Sequence, residues 1–333
     1  MVLASGIGSM PGGSAQASEA DNARAFDEAA RVVVGELTDL LAIPELPGRG
    51  AIASMTGRTL GLVTEIPADL QPFGWRLAGA TGMDQRRARS LLAQDLDRIE
   101  ELTQGFTGII KQQVAGPWTL AATVDKPRGD KVLSDHGARR DLAEALGEAL
   151  AAHVADLRRR VPGAGEIIIQ VDEPALPAVL AAQVPTLSGW GKHRAVAVPD
   201  ASAMLERLFA TMEGAGATPI VHCCAPGLPI SLVRGAGARG VAVDLAMLDA
   251  GGYDDLAATL EAGERVLLGV VPTTGDVPGD ARVTEQVLRL FDLIGLEPTA
   301  SLVITPACGL AGGSMERARA AITVARKVAA NLS

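Results

Sequence analysis

Eight strand-like runs, nearly all continuously apolar and separated by stretches with helical periodicity, constrain this 333-residue chain more than any other feature. The clearest is Glu166-Ile167-Ile168-Ile169-Gln170-Val171-Asp172, and the others fall at 2–8, 59–65, 108–114, 218–223, 240–244, 265–271 and 301–305. A half-buried strand alternates apolar and polar residues, whereas a strand covered on both faces reads as a continuous Val/Ile/Leu run. These runs are of the second kind and predict parallel strands sandwiched between helices. Helical spacing occupies 21–37, 87–102, 137–160, 201–213, 228–236, 254–262, 281–294 and 314–331. Eight βα units in series predict an α/β fold, a (β/α)8 TIM barrel, as a single domain over 1–333; such barrels commonly run past about 250 residues undivided. An open doubly wound sheet would ordinarily place a tight GxGxxG turn after its first strand. Gly6-Ile7-Gly8 followed by Gly12 and Gly13 lacks that spacing, and no GxxxxGK[ST] loop occurs.

Composition narrows the partners. With 48% hydrophobic residues but only 3% aromatic ones, the core must be filled by Val, Leu, Ile and Ala. A formal charge of -9 disfavours a polyanionic partner, so nucleic acid is not expected. No apolar run reaches the length of a membrane span, and Met1-Val2-Leu3-Ala4-Ser5-Gly6 lacks the basic segment of a signal peptide. Three cysteines do not make a disulfide framework, and a reducing cytoplasm is the expected setting.

In such a barrel the site is built at the carboxyl ends of the strands. The polar residues expected there are Ser9, Glu65, Asp172, His222, Cys224, Asp244 and Cys308. His222 and Cys224 are two apart, so on an extended strand end they point to one side while Cys223 points away. With Cys308 and a carboxylate they would make a tetrahedral zinc site; the competing reading is of cysteines packed as small apolar residues. Asp244 reads as a ligand or as a cap for the segment after it. Asp172-Glu173-Pro174 resembles a helix-capping pattern, yet two carboxylates fed into a barrel mouth favour a substrate role, assigned to Asp172. His136 and His153 are expected at the solvated surface, as is His193, although its loop keeps a catalytic role open.

Several motifs together resemble one family. Ile169-Gln170-Val171-Asp172-Glu173-Pro174-Ala175-Leu176, His222-x-Cys224 and Cys308-Gly309-Leu310 are similar, in that order, to the catalytic domain of cobalamin-independent methionine synthase. Ile7-Gly8-Ser9-Met10-Pro11 resembles its first-strand loop and Gly116-Pro117-x-Thr119 its third-strand motif. The resemblance implies Zn²⁺ on His222, Cys224, Cys308 and an acidic residue, Asp244 here where the family has Glu. It implies homocysteine held by Ile7, Gly8 and Ser9 at its carboxylate and by Asp172, with Glu65, at its amino group. The implied reaction is a zinc-dependent methyl transfer to the thiol of homocysteine, giving methionine.

The departures gather on the donor side. The long enzymes of the family carry a further amino-terminal barrel, for which this chain has no length. Val270-Val271-Pro272-Thr273-Thr274-Gly275-Asp276 lacks the histidine that the family uses as proton donor, Ala178 stands near the folate-contacting glutamate's place, and Ala311-Gly312-Gly313 replaces a basic pair. The donor expected is therefore a corrinoid or another activated carrier rather than methyltetrahydrofolate. Two alternatives stand beside this: a metal-free barrel enzyme like the uroporphyrinogen decarboxylases, disfavoured by the lack of an arginine cluster at the strand ends, and a non-catalytic zinc- and thiol-binding relative.

Overall fold

The computed structural model describes residues 1–333. In chain order the elements are β1 (Leu3–Ala4), α1 (Glu19–Glu36), β2 (Leu40–Ala42), α2 (Met55–Leu62), β3 (Ala68–Gln71), β4 (Gly74–Leu77), α3 (Met83–Leu102), β5 (Ile109–Ala115), α4 (Pro117–Thr123) and α5 (His136–Arg160). They continue with β6 (Glu166–Asp172), α6 (Leu176–Leu180), α7 (Val198–Gly214), β7 (Thr218–Cys223), α8 (Ile230–Gly235), β8 (Gly240–Asp244), α9 (Ala250–Glu261), β9 (Arg265–Val271), α10 (Asp280–Ile294), β10 (Leu302–Pro306) and α11 (Met315–Asn331).

Eight parallel strands run in the order β1-β10-β9-β8-β7-β6-β5-β2. The remaining seam, between β2 and β1, is bridged where Ser9 pairs with Glu45: Glu45 N–H donates to Gly8 O at 3.1 Å and Met10 N–H to Glu45 O at 2.8 Å. The result is the (β/α)8 TIM barrel that the apolar runs predict. Inside it sits a small cluster of Ile7, Leu40, Ile168, Ile220, Ala242, Leu267 and Val303; a larger apolar layer fills the space between strands and helices. Strands buried on both faces must supply both layers, which is why their runs are continuous. No helix is long and apolar enough to cross a membrane.

One predicted strand is wrong. Residues 59–65 do not enter the sheet: Met55–Leu62 is a helix, started by Ser54, whose hydroxyl accepts from Gly57 N–H at 3.1 Å. The second barrel strand is instead Leu40–Ala42, three fully buried residues. Capping upstream of Thr59 fixes the helix, and its apolar residues Leu60 and Val63 are buried from the outer layer. A small antiparallel hairpin, β3 with β4, follows α2 outside the barrel and was not expected.

Candidate functional site

Two strand ends that are not neighbours bring the soft ligands together. His222 is the penultimate residue of β7, Cys224 lies just beyond it, and Cys308 follows β10. Their ligand atoms all lie within 4.8 Å of one another, and the two sulfurs are 2.7 Å apart. His222 Nδ1 stands 3.0 Å from Ala242 O, so that nitrogen carries the hydrogen and donates, leaving Nε2 as the lone-pair atom. Cys223 points away, as expected from its register: it is buried in the outer apolar layer, and burial pushes its thiol up to about 11.

The two cluster thiols are in direct contact and their ionisations are linked. Cys308 is pulled down to about 4 by the hydrogen bond from Cys224 and, against its burial, by the His222 ring beside it. Cys224 is pushed up because its hydrogen serves that neighbouring thiolate. Burial opposes charge on His222, yet the Cys308 contact and the charges of Asp172 and Cys308 outweigh it and raise its pKa. Two cysteine sulfurs and an imidazole turned towards them form a donor set that suits zinc.

Asp244 ends β8, as predicted, but outside the 4.8 Å group. Its Oδ1 accepts from Ala246 N–H at 2.9 Å, capping the turn that follows. Burial raises its pKa, and so does the charge on Cys308, so the carboxylate stands in electrostatic reach of the cluster.

Across the mouth lies a buried ionic group. Asp172, last in β6, accepts from Gln170 Nε2 at 2.7 Å, and burial raises its pKa against the pull of His222, Lys111 and Arg58. Beside it is Glu45, paired with Arg58 and pushed up to about 7 by burial. Asp172 adds to that rise, so the two carboxylates repel. Below them Lys111, with no exposed surface, donates from Nζ to Ile7 O at 2.9 Å and Gln170 Oε1 at 2.6 Å; burial brings it down to about 7. Glu45, Arg58 and Lys111 were missed in the sequence. Glu45 had a signal, since Leu40-Leu41-Ala42-Ile43 is an apolar run with a carboxylate just after it, the same form as β6 and β8.

Glu65, predicted at the second strand end, is corrected by the same shift. It is exposed, past α2, and lines an outer cavity with Leu62, Arg89 and His153. It does not converge with Asp172.

The first-strand loop is fastened to both halves of the site. Ile7 O takes hydrogen bonds from Lys111 and Gln170, and Leu310 N–H donates to Ser9 O at 2.8 Å. A Cβ on Gly309 would stand 1.8 Å from Ser9 Oγ, so glycine after Cys308 lets the loop seat itself there. Ser9 N–H and the Ser9 hydroxyl make no hydrogen bond within the chain.

Glu173 explains two motifs at once. Its carboxylate accepts from Trp118 N–H at 2.9 Å, Thr119 N–H at 2.7 Å and Thr119 Oγ1 at 2.7 Å, capping α4 rather than its own following helix. A Cβ on Gly116 would be 2.3 Å from that carboxyl carbon. The Gly-Pro-x-Thr and Asp-Glu-Pro motifs are therefore two sides of one contact. Of the histidines, His136 is exposed as expected, but His153 and His193 are buried. His153 Nε2 lies 2.9 Å from Gln112 Oε1, and His193 Nε2 lies 3.1 Å from Asp130.

Residues 99–331 match the family model for the catalytic domain of cobalamin-independent synthase. Among solved structures the chain is similar to a B12-independent methionine synthase from Shewanella sp. W3-18-1 in complex with selenomethionine. That likeness has 14% identity over 99% of this chain and 97% of that chain, with a TM-score of 0.65, and shows the fold. A β-mannanase from the blue mussel Mytilus edulis is similar at 10% identity over 98% and 92% of the two chains, with a TM-score of 0.48, too low to bear on chemistry. Comparison with curated proteins found no match.

Proposed function

The chain belongs to the cobalamin-independent methionine synthase family, through its catalytic domain, and on that premise we propose that it methylates the thiol of homocysteine to give methionine. We propose further that the reaction is zinc-dependent, that residues 1–333 act as one domain, and that the reducing cytoplasm keeps the three free cysteines available. The observation that carries this reading is the His222, Cys224 and Cys308 group, drawn within 4.8 Å from two separate strand ends. Its donors fit the metal: both cysteines are free of disulfides, the Cys308 thiol is drawn towards its ionised form by Cys224 and His222, and His222 donates from Nδ1 to Ala242 O, which turns Nε2 towards the cluster. Asp244 would be the fourth ligand, or would sit behind the metal in its capping position. When bound, zinc supplies the Lewis acidity that ionises a thiol whose ordinary pKa is about 8.5.

The other residues hold the amino acid. Asp172 and Glu45 are two repelling buried carboxylates, and an ammonium group between them would relieve that repulsion. Ser9 N–H and Oγ supply free donors for the α-carboxylate, in a loop pinned at Ile7 by Lys111 and at Ser9 by Leu310. This divides homocysteine into three contacts: carboxylate at the β1 loop, ammonium at β2 and β6, thiol at β7 and β10. The acceptor side is thus complete. The donor side keeps the departures of sequence, with no histidine between Val270 and Asp276, which supports a corrinoid or other activated carrier over methyltetrahydrofolate.

The test is metal content by mass spectrometry on protein purified without added zinc, for the native chain and Cys308→Ser, followed by transfer assays with a panel of methyl donors. About one zinc per chain, lost in the variant, is expected. Folded, reduced protein that takes up no zinc when offered it would overturn the mechanism. A zinc-loaded chain inert with every donor would point to a non-catalytic binder.

A further inference from the structure

The loop between β6 and α7 closes over a cavity of about 520 Å³ that the methyl-transfer reading does not use. Its walls include Leu133, Ser134, Arg139, Lys192, His193 and Arg194, three of them cations, and no acidic residue. That is unexpected in a chain of net charge -9. The nearby carboxylates are committed elsewhere: Asp125 pairs with Lys131 at 2.7 Å, and Asp135 lies 3.8 Å from Lys126 while capping α5 through Ala138 N–H. Asp130 takes His193 at 3.1 Å and the N–H groups of Lys131 and Leu187. Arg139 adds a weaker pull on Asp135.

Arg139, Lys192 and Arg194 form no ion pair with any of them. The Arg139 guanidinium stands over the Trp118 ring, 5.8 Å from its centroid, and its Nε is buried without a partner. Three cations held around one cavity repel unless an anion joins them, and the first turn of the 25-residue helix α5, which carries Arg139, adds its positive end. The cavity also stands at the catalytic face, because the loops that build it leave β5 and β6 at their carboxyl ends. Trp118, under Arg139, is held by Glu173, the neighbour of Asp172.

We propose that this cavity is an anion-binding subsite at the barrel mouth, receiving a carboxylate or phosphate group of a ligand that approaches the catalytic face. Carboxylate and phosphate share the chemistry of recognition: charge, and oxygens that accept from guanidinium and ammonium donors. Lys192 and Arg194 are exposed, so replacing them leaves the core untouched.

The experiment is an NMR titration of the full chain at low ionic strength with inorganic phosphate and, separately, glutarate, following the Trp118 indole and the Arg194 amide. Saturable shifts with at least one anion are expected, weakened about tenfold or more in Lys192→Gln/Arg194→Gln as charge-assisted contacts are lost. Which anion saturates first identifies the class of ligand. Shifts that stay linear or absent for both anions, or a titration the double variant leaves unchanged, would overturn the proposal. Zinc content measured on the same samples keeps this outcome separate from that of the methyl-transfer reading.

Discussion

Gly116→Ala isolates the contact on which the site's floor rests. Gly116 has φ -74° and ψ 166°, which alanine adopts freely, so backbone conformation gives no reason for a cost. The obstacle is Glu173, whose carboxyl carbon and Oε1 would both lie 2.3 Å from the new Cβ. That carboxylate cannot swing aside without releasing Trp118 N–H, Thr119 N–H and Thr119 Oγ1, all buried. Three hydrogen bonds to the carboxyl group at roughly 1.5 kcal/mol each give a destabilisation of about 4.5 kcal/mol. Urea unfolding followed by circular dichroism reads this directly. The same substitution in a Glu173→Ala background should cost less than about 1 kcal/mol, since the methyl then enters vacated space. A small loss in the native background, or an equal loss in both, would refute the contact as the cause.

Burial pushes His153 down to about 4, so as pH falls the unfolded state takes up its proton first. The associated stability is complete above about 6.5 and drains away towards 4, on the order of 3 kcal/mol in all. Urea unfolding at several pH values should show a flatter profile for His153→Gln than for the native chain. Glu45→Gln should raise the KM for homocysteine about tenfold or more, from loss of a charged contact, but leave the KM for 4-mercaptobutanoate, which has no amino group, nearly unchanged. Equal effects on both thiols would remove Glu45 from the ammonium site. Asp244→Asn keeps an oxygen for Ala246 N–H, so urea stability should hold while zinc retention against a chelator falls about tenfold or more. Unchanged retention would make Asp244 a cap only.

The barrel was legible because both-face burial leaves a mark that composition cannot hide. β6, β7, β8 and β9 occupy the same residues as their apolar runs. The cluster of His222, Cys224 and Cys308 was legible for the same reason, since a strand end fixes where the next side chains go. The β2 region was not. A strand of three residues is shorter than the window in which periodicity shows, and Thr59 to Val63 imitates a strand while belonging to a capped helix. Losing β2 hid Glu45 and put Glu65 in its place. Lys111 carries no signal, because a lysine inside a barrel is explained only by carboxylates and carbonyls from other strands. His153 did carry one: it lies between Leu150 and Leu157 on the buried stripe of α5, where helical spacing alone predicts burial.

The seam between β1 and β2 has a consequence for how the barrel holds its shape. β1 is two residues long and β2 three, and where other strand pairs share a ladder these two meet through the Gly8, Met10 and Glu45 backbone and one side-chain bond, from the Ser5 hydroxyl to Leu40 O at 3.2 Å. The residues that shut the ring are thus the ones that would grip the amino acid. A bound substrate would act as the missing rung, spanning both sides of the joint, and an empty protein would breathe there first. Amide hydrogen exchange at Met10 and Glu45 should accordingly be fast in the free chain and slow when homocysteine is present, while β7 and β8 are unaffected. On this reading, a bound ligand would reinforce the weakest strand pairing of the barrel.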